Sequence, residues 1–273
     1  MLKIIRDSFN LTNKYIVLAT PLILFSLLSS LYLAFSLKGN VLSMAFAVIL
    51  FFLMTCAFLS GWFFMIAECV KTPDNSDPNE ILKDFTEGVG EYFLQVIGML
   101  AFSFCIGIIL FFISYFIGMK LIGDTGISSA EFSAAMTSVD SLKTFLTSLS
   151  NEQLIKLNLW NILLFLTMSF TYFVIIFYSP AMFLKDKNAF TSLIAALKDL
   201  FSRHFFKNVF LFLFIFVVYS ILSVLTTIFG INIFAHFIFT LANFYFFVFA
   251  VVLVYNYYYA NFVKIGSNVD TRV

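Results

Sequence analysis

Six stretches of this chain carry no Asp, Glu, Lys or Arg and are long enough to cross a bilayer. They are Tyr15–Leu37, Val41–Ala67, Tyr92–Met119, Asn158–Leu184, Asn208–Phe229 and Ile233–Phe262. A helix traverses the hydrocarbon core in about 20 residues. The runs are apolar all round and lack period-two alternation, which excludes a β-barrel. Composition agrees: of 273 residues 62% are hydrophobic, 11% are charged and 40 are Phe, too much apolar surface for a water-soluble core of this size. The fold class read from the sequence is all-α, a polytopic membrane protein with six transmembrane helices in one membrane domain over 1–273. Lys3 and Arg6 resemble the basic start of a signal peptide, but the apolar run after them is too long for one, so it reads as a retained first span.

The connections between spans order the topology. Lys38-Gly39-Asn40 and Gly230-Ile231-Asn232 are too short for anything but antiparallel hairpins. With the N-terminus inside, twelve of the 16 basic residues fall on inner segments, and only Lys38, Lys120, Lys143 and Lys156 fall outside. The positive-inside bias therefore predicts both termini in the cytoplasm. Tyr255, Tyr257, Tyr258 and Tyr259 read as an inner aromatic belt, and Trp160 as an outer one.

Each inner segment before an odd-numbered span reads as a cytoplasmic interfacial amphipathic helix. The third places Phe190, Leu193, Ile194, Leu197, Phe201 and Phe205 on one stripe, with Ser192, Lys198, Asp199, Ser202 and Arg203 off it and Asn188 as N-cap. The second opens with Asp77-Pro78-Asn79-Glu80, a helix-start pattern. The first offers Leu2, Ile5 and Phe9. A triplet recurs in all three, Ile5-Arg6-Asp7, Leu82-Lys83-Asp84 and Leu197-Lys198-Asp199, and the eighth residue after each Asp is Tyr15, Tyr92 or Lys207, at or next to the start of the next span. This predicts a threefold repeat of interfacial helix plus transmembrane hairpin, with units at about 2–67, 77–184 and 189–262. The middle unit carries an outer helical insertion, 120–157, with capping boxes at Ser128–Glu131 and Ser150–Gln153 and a stripe of Leu142, Phe145, Leu146 and Leu149. It reads as a cap over apolar helix ends.

Reactive chemistry is sparse. No ionisable group lies well inside a span, which argues against proton or ion coupling. His204 and His236 fall on opposite faces. Cys56, Cys69 and Cys105 fit no metal or redox spacing and read as small buried hydrophobes. The acidic group Glu68 to Glu91 is explained as a helix start and surface. No catalytic, metal or cofactor-binding residue is assigned, no cofactor is expected, and the near-neutral charge excludes a bulk field for nucleic acid. Two polar sets remain. Lys198, Arg203 and Lys207 are candidate contacts for anionic lipid. Gln95, Asn243 and Asn256 are buried amides that would line a cavity. The inner segments also differ in charge, with Glu68–Glu91 net −5 and Lys185–Lys207 net +3, so they are expected to meet.

Several stretches together resemble a family. Asn13-Lys14-Tyr15 to Pro21, Gly61, Asp84-Phe85-Thr86-Glu87-Gly88, Ser179-Pro180 and Ala195-Ala196-Leu197-Lys198 are similar to the six-span bacterial proteins related to the membrane domain of glycerophosphoryl diester phosphodiesterases, and to allied uncharacterised families. Where that group often carries a serine, this chain has Asp199. The resemblance implies a membrane module without hydrolase activity. The expected function is a non-enzymatic, lipid-interacting scaffold or assembly component whose partners are membrane lipids and other membrane proteins. The alternative is a carrier or flippase-like path for a lipid or amphipathic molecule. Topology is tested by single cysteines placed in 120–157 of a cysteine-free protein. They should react with an impermeant maleimide added outside intact cells. Labelling only after permeabilisation would reverse the orientation.

Overall fold

A computed structural model describes residues 1–36, 41–73 and 78–264. The Lys38-Gly39-Asn40 connection, Asp74, Asp77 and Arg272 lie outside the described residues. Every regular element among the described residues is helical. Helices α3 (Val41–Lys71), α4 (Pro78–Leu121), α7 with α8 (Asn151–Ile175 and Tyr178–Leu184), α10 (Phe205–Ile228) and α11 (Ile233–Tyr258) give five helices long and apolar enough to cross a membrane. A sixth crossing exists if α1 (Leu2–Lys14), a 3₁₀ turn (Ile16–Leu18) and α2 (Ala19–Ser36) count as one span, bent by 79°. This is a multi-pass membrane protein by helix length and composition.

The elbows have local causes. Tyr15 leaves helical geometry at the end of α1, and Pro21 sits in the first turn of α2, where its missing N–H costs no internal bond. Pro180 does the same in α8: its ring crowds the carbonyl of Ile176, and the helix breaks at Ile176-Phe177. The middle interfacial element differs from expectation. No break separates it from its span, and Pro78–Leu121 is one helix of 44 residues. Nothing between Phe85 and Tyr92 stops a helix: there is no proline, and Gly88 and Gly90 are tolerated in helical geometry.

The chain separates into two compact units. In the first, Met1–Ala101 with Ile175–Val273, α11 is the central helix, flanked by α1, α2, α3, α8 and α10. Burial is concentrated at one end, here called the basal end, where α3 and α11 finish and α10 begins. In α3 the fully buried residues run from Cys56 to Val70, and in α11 from Phe246 to Tyr258, whereas Phe46, Ile49, Ile233, Phe237 and Leu241 are exposed. Trp62 anchors this core. Its ring stacks on Phe58 and Phe247, and its Nε1 donates to the Leu18 carbonyl at 2.8 Å. Cys56 and Cys69 are buried here, whereas Cys105, expected to be buried, is exposed. Tyr255, Tyr257 and Tyr258 correct the expectation of a surface belt: all three are wholly buried, because α11 is surrounded at its basal end, and only Tyr259 is half-exposed.

Two glycines let α4 approach α3. A Cβ at Gly61 would stand 2.6 Å from the Phe85 carbonyl oxygen, and one at Gly88 would stand 2.5 Å from the Phe64 Cβ. Both clashes are with atoms that cannot swing away. Further along α4, Tyr92 stacks on Phe183 at 4.4 Å and Gly98 meets Ala189.

The second unit, Phe102–Val174, contains α5 (Ser129–Ala135) and α6 (Val139–Ser148) and the facing parts of α4 and α7. Small and hydroxylated residues bring those two helices together, as is usual between apolar spans. Gly107 faces Thr171, Thr167 donates to Ser114 at 2.7 Å, and the Trp160 ring lies directly on Gly118. Trp160 Nε1 donates to the carbonyl of Gly123, a glycine in the left-handed region with φ of 78°. Ser128 and Glu131 exchange amide and side-chain bonds, as do Ser150 and Gln153. Leu142, Phe145 and Leu149 are half-buried and Leu146 is exposed.

The glycine contacts give a paired test. Gly61→Ala forces α3 and α4 apart and should destabilise the protein by about 1–3 kcal/mol, the usual cost of overpacking. Gly90→Ala meets nothing within 4 Å and should be neutral or raise stability by up to about 1 kcal/mol, through helix propensity. Thermal unfolding in detergent reads both. Equal effects would refute the close crossing.

Candidate functional site

The basal end carries the densest polar chemistry of the first unit, and it begins with three consecutive residues of α11. Successive helical residues point about 100° apart, so Asn256, Tyr257 and Tyr258 face three directions. Asn256 Nδ2 donates to Ser8 Oγ of α1 at 2.9 Å. The Tyr257 hydroxyl donates to Asn208 Oδ1 of α10 at 2.8 Å. The Tyr258 hydroxyl donates to Asp199 Oδ2 of α9 (Ala189–Leu200) at 2.6 Å.

Each partner is held in turn. Asn208, completely buried, donates to the carbonyls of Asp199 and Leu200 and so closes the end of α9. Asp199 also receives Lys185 Nζ at 3.1 Å. Asn188 caps α9 through the amides of Phe190 and Thr191, and the carboxylate of Asp186, lowered in pKa by hydrogen bonds from Thr191 and the Asn188 amide, braces that start. Ser192 Oγ donates to the Asp186 and Asn188 carbonyls, and the Tyr178 hydroxyl to the Ala189 carbonyl. The oppositely charged segments around Glu91 and Lys187 meet at those two residues, whose side chains form an ion pair, with Lys187 lying over the Tyr92 ring.

The third stripe faces the other way from a packing face. The side of α9 against the protein is Ser192, Ala196 and Leu200, all wholly buried, while Phe190, Ile194 and Phe201 are more than half exposed. Ser192 and Asp199, read as lying off the apolar stripe, therefore point to the protein. Ser192 and Ala196 permit the close approach, and Phe190, Ile194 and Phe201 are left outward. Helix α1 repeats this in part: Ser8, Leu11 and Thr12 are buried and Leu2 is exposed, while Phe9, about half exposed, sits edge-on to the Tyr245 and Phe249 rings of α11.

The candidate lipid contacts Lys198, Arg203 and Lys207 are all exposed along α9 and the elbow into α10. His204, at that elbow, accepts from Arg203 Nε at 3.3 Å and sits edge-on to Phe262. Its pKa is lowered by burial and then by the charges of Lys207 and Arg203, which keeps the ring neutral and able to accept. His236 is at the opposite end of the α10–α11 hairpin. The three candidate cavity amides are not brought together. Gln95 is half-buried on α4. Asn243 donates to Thr226 at 2.7 Å and ties α11 to α10. Asn256 ties α11 to α1, 13 residues or about 20 Å further along the same helix. Among the described residues no group of three or more His, Cys, Asp or Glu side chains converges.

No family model, curated protein or solved structure matches this chain.

The α11 triplet does not stand out in the sequence as a fastening point. Its signal was the amide at 256 within a run of tyrosines, together with a second amide, Asn208, at the start of a span. Tyr258→Phe should destabilise the protein by about 1.5–3 kcal/mol, the range for a hydrogen bond to a charged group. Asp199→Asn should cost less in the Tyr258→Phe background than alone, because the two side chains share that bond. A thermal-unfolding double-mutant cycle measures the coupling, and strict additivity would refute it.

Proposed function

We propose that this chain is a non-enzymatic integral protein of a bacterial inner membrane, serving as a lipid-interacting scaffold or assembly component with both termini in the cytoplasm. The observation that carries the reading is the outward arrangement of α9: large apolar residues on one face, Lys198, Arg203 and Lys207 exposed, and a small-residue face fixed to the protein. That division suits a helix held at the boundary between acyl chains and headgroups. In this reading the basal end lies at the cytoplasmic leaflet. The polar groups of the spans support it too, since Asn243, Asn256, Ser114 and Thr167 are spent on tying helices together. A carrier path lined by Gln95, Asn243 and Asn256 draws no support from residues so placed.

Two features favour the resemblance to the six-span phosphodiesterase-associated family, and a third favours the repeat. The separate motifs at Gly61 and at Asp84–Gly88 meet in space at the α3–α4 crossing. Asp199, the departure from that group, has a structural use as acceptor for Tyr258 and Lys185. Helices α1 and α9 present a protein face, an apolar face and a polar face in the same rotational order, as repeated units would.

The test is lipid selectivity of the full chain. Replacing Lys198, Arg203 and Lys207 with Gln should lower the ratio of anionic to zwitterionic lipid retained by the purified protein. About 1 kcal/mol per basic residue predicts roughly fivefold for each charge removed. Native mass spectrometry after exchange into mixed micelles reads the ratio. An unchanged ratio would sink the role of these residues.

A further inference from the structure

The two interfacial helices are asymmetric in a way that goes beyond holding anionic headgroups. We infer that α1 and α9 form a paired wedge that recognises loose acyl packing in a single leaflet, so that the protein favours positively curved membrane at its basal face. This rests on the proposed interfacial placement of both helices.

The geometry is as follows. Going round α9 in the sense of increasing residue number, at about 100° per residue, the protein face of Ser192, Ala196 and Leu200 comes first. The apolar face of Phe190, Ile194 and Phe201 follows, and then the polar face of Thr191 and Lys198. In α1 the order is the same: Ser8, Leu11 and Thr12, then Leu2 and Phe9, then Lys3, Arg6 and Asn10. Each helix is locked by its protein face, α1 through Ser8 to Asn256 and α9 through Asp199 to Tyr258. Neither can roll to hide its apolar face. Helix α1 is turned 79° from the helix that follows it, so with α2 crossing the bilayer it lies near the membrane plane.

Lipid is the occupant that these faces fit. Leu2, Phe190, Ile194 and Phe201 are apolar and exposed on a chain whose helices are long enough to cross a bilayer, and Lys3, Arg6 and Lys198 lie on the adjoining faces. Large side chains fixed at that depth displace headgroups in one leaflet without filling the other. Interfacial helices of this kind respond to curvature and lipid composition. The apolar faces and the charges then do separate work: the charges select anionic lipid, and the rings select packing defects.

The experiment uses the full chain in giant vesicles of mixed anionic and zwitterionic lipid from which membrane tubes are pulled. A Thr191→Cys, Cys105→Ser protein labelled with an impermeant dye reports only molecules whose α9 faces outward. The expected result is a tube-to-vesicle density ratio above one, since the binding of interfacial helices is sensitive to curvature. Phe190→Ser, Ile194→Ser and Phe201→Ser together should return the ratio to one. These positions are outward, so the thermal midpoint of that variant should be retained; a variant that unfolds is replaced by Phe190→Ser with Ile194→Ser. Changing Lys198, Arg203 and Lys207 to Gln should leave the curvature ratio intact while lowering lipid selectivity. Equal density of the parent protein on tube and vesicle would overturn the wedge, even if anionic selectivity holds. A ratio unaffected by the apolar substitutions in a folded variant would overturn it as well. Enrichment with no anionic selectivity would support the wedge while sinking the charge reading.

Discussion

Three successive side chains near the end of α11 hold the first unit together. Asn256, Tyr257 and Tyr258 each reach a different helix, and helical geometry makes that divergence automatic. Within a membrane the hydrophobic effect does little to draw one apolar helix to another. Packing and hydrogen bonds between helices must supply the specificity. Placing those bonds at one level of one helix fixes α1, α9 and α10 against a common axis. The aromatic core around Trp62 then packs α3 against α11 and the Leu18 turn.

The consequence is a gradient. At the basal end, side chains of α3, α8 and α11 are buried on several sides, and at the other end α2, α3, α10 and α11 leave most of their large apolar side chains outward. Small residues sit where helices approach most closely, as at Gly61, Gly88, Ser192 and Ala196. Phenylalanine occurs both inside and outside. Phe177 and Phe183 are core, while Phe206 and Phe234 are almost fully exposed.

The sequence revealed the helices well, because a bilayer demands long uncharged runs and tolerates little else. Pro21, Pro180, Asn188 and the Ser128 and Ser150 boxes were legible for local reasons, since each acts on backbone groups within a few residues. Direction was harder. The stripe Phe190–Phe205 was visible as a stripe, yet periodicity does not say whether an apolar face meets protein or lipid. In water the large residues turn inward; here Ser192 and Ala196 do. The continuity of α4 was hidden for a similar reason, because Asp84–Gly88 looks like the end of a surface helix until Gly61 and Phe64 on α3 are placed beside it. The tyrosines were assigned to an interface by type, and only the packing round α11 puts Tyr255, Tyr257 and Tyr258 inside.

Concentrating the packing at one level also changes how the protein meets bilayers of different thickness. A bundle packed along its whole length must deform its core when the hydrocarbon layer thins or thickens, or else distort the lipid. Here α2 with α3 and α10 with α11 project from a fixed base as two pairs, each tied within itself, by Tyr32 to the Ala47 carbonyl and by Asn243 to Thr226. The outer sides of these far halves are exposed, so a change in the layer's thickness meets them before it meets Trp62, Asn208 and the α11 triplet. The protein is thereby tolerant of thickness at one face and exacting at the other.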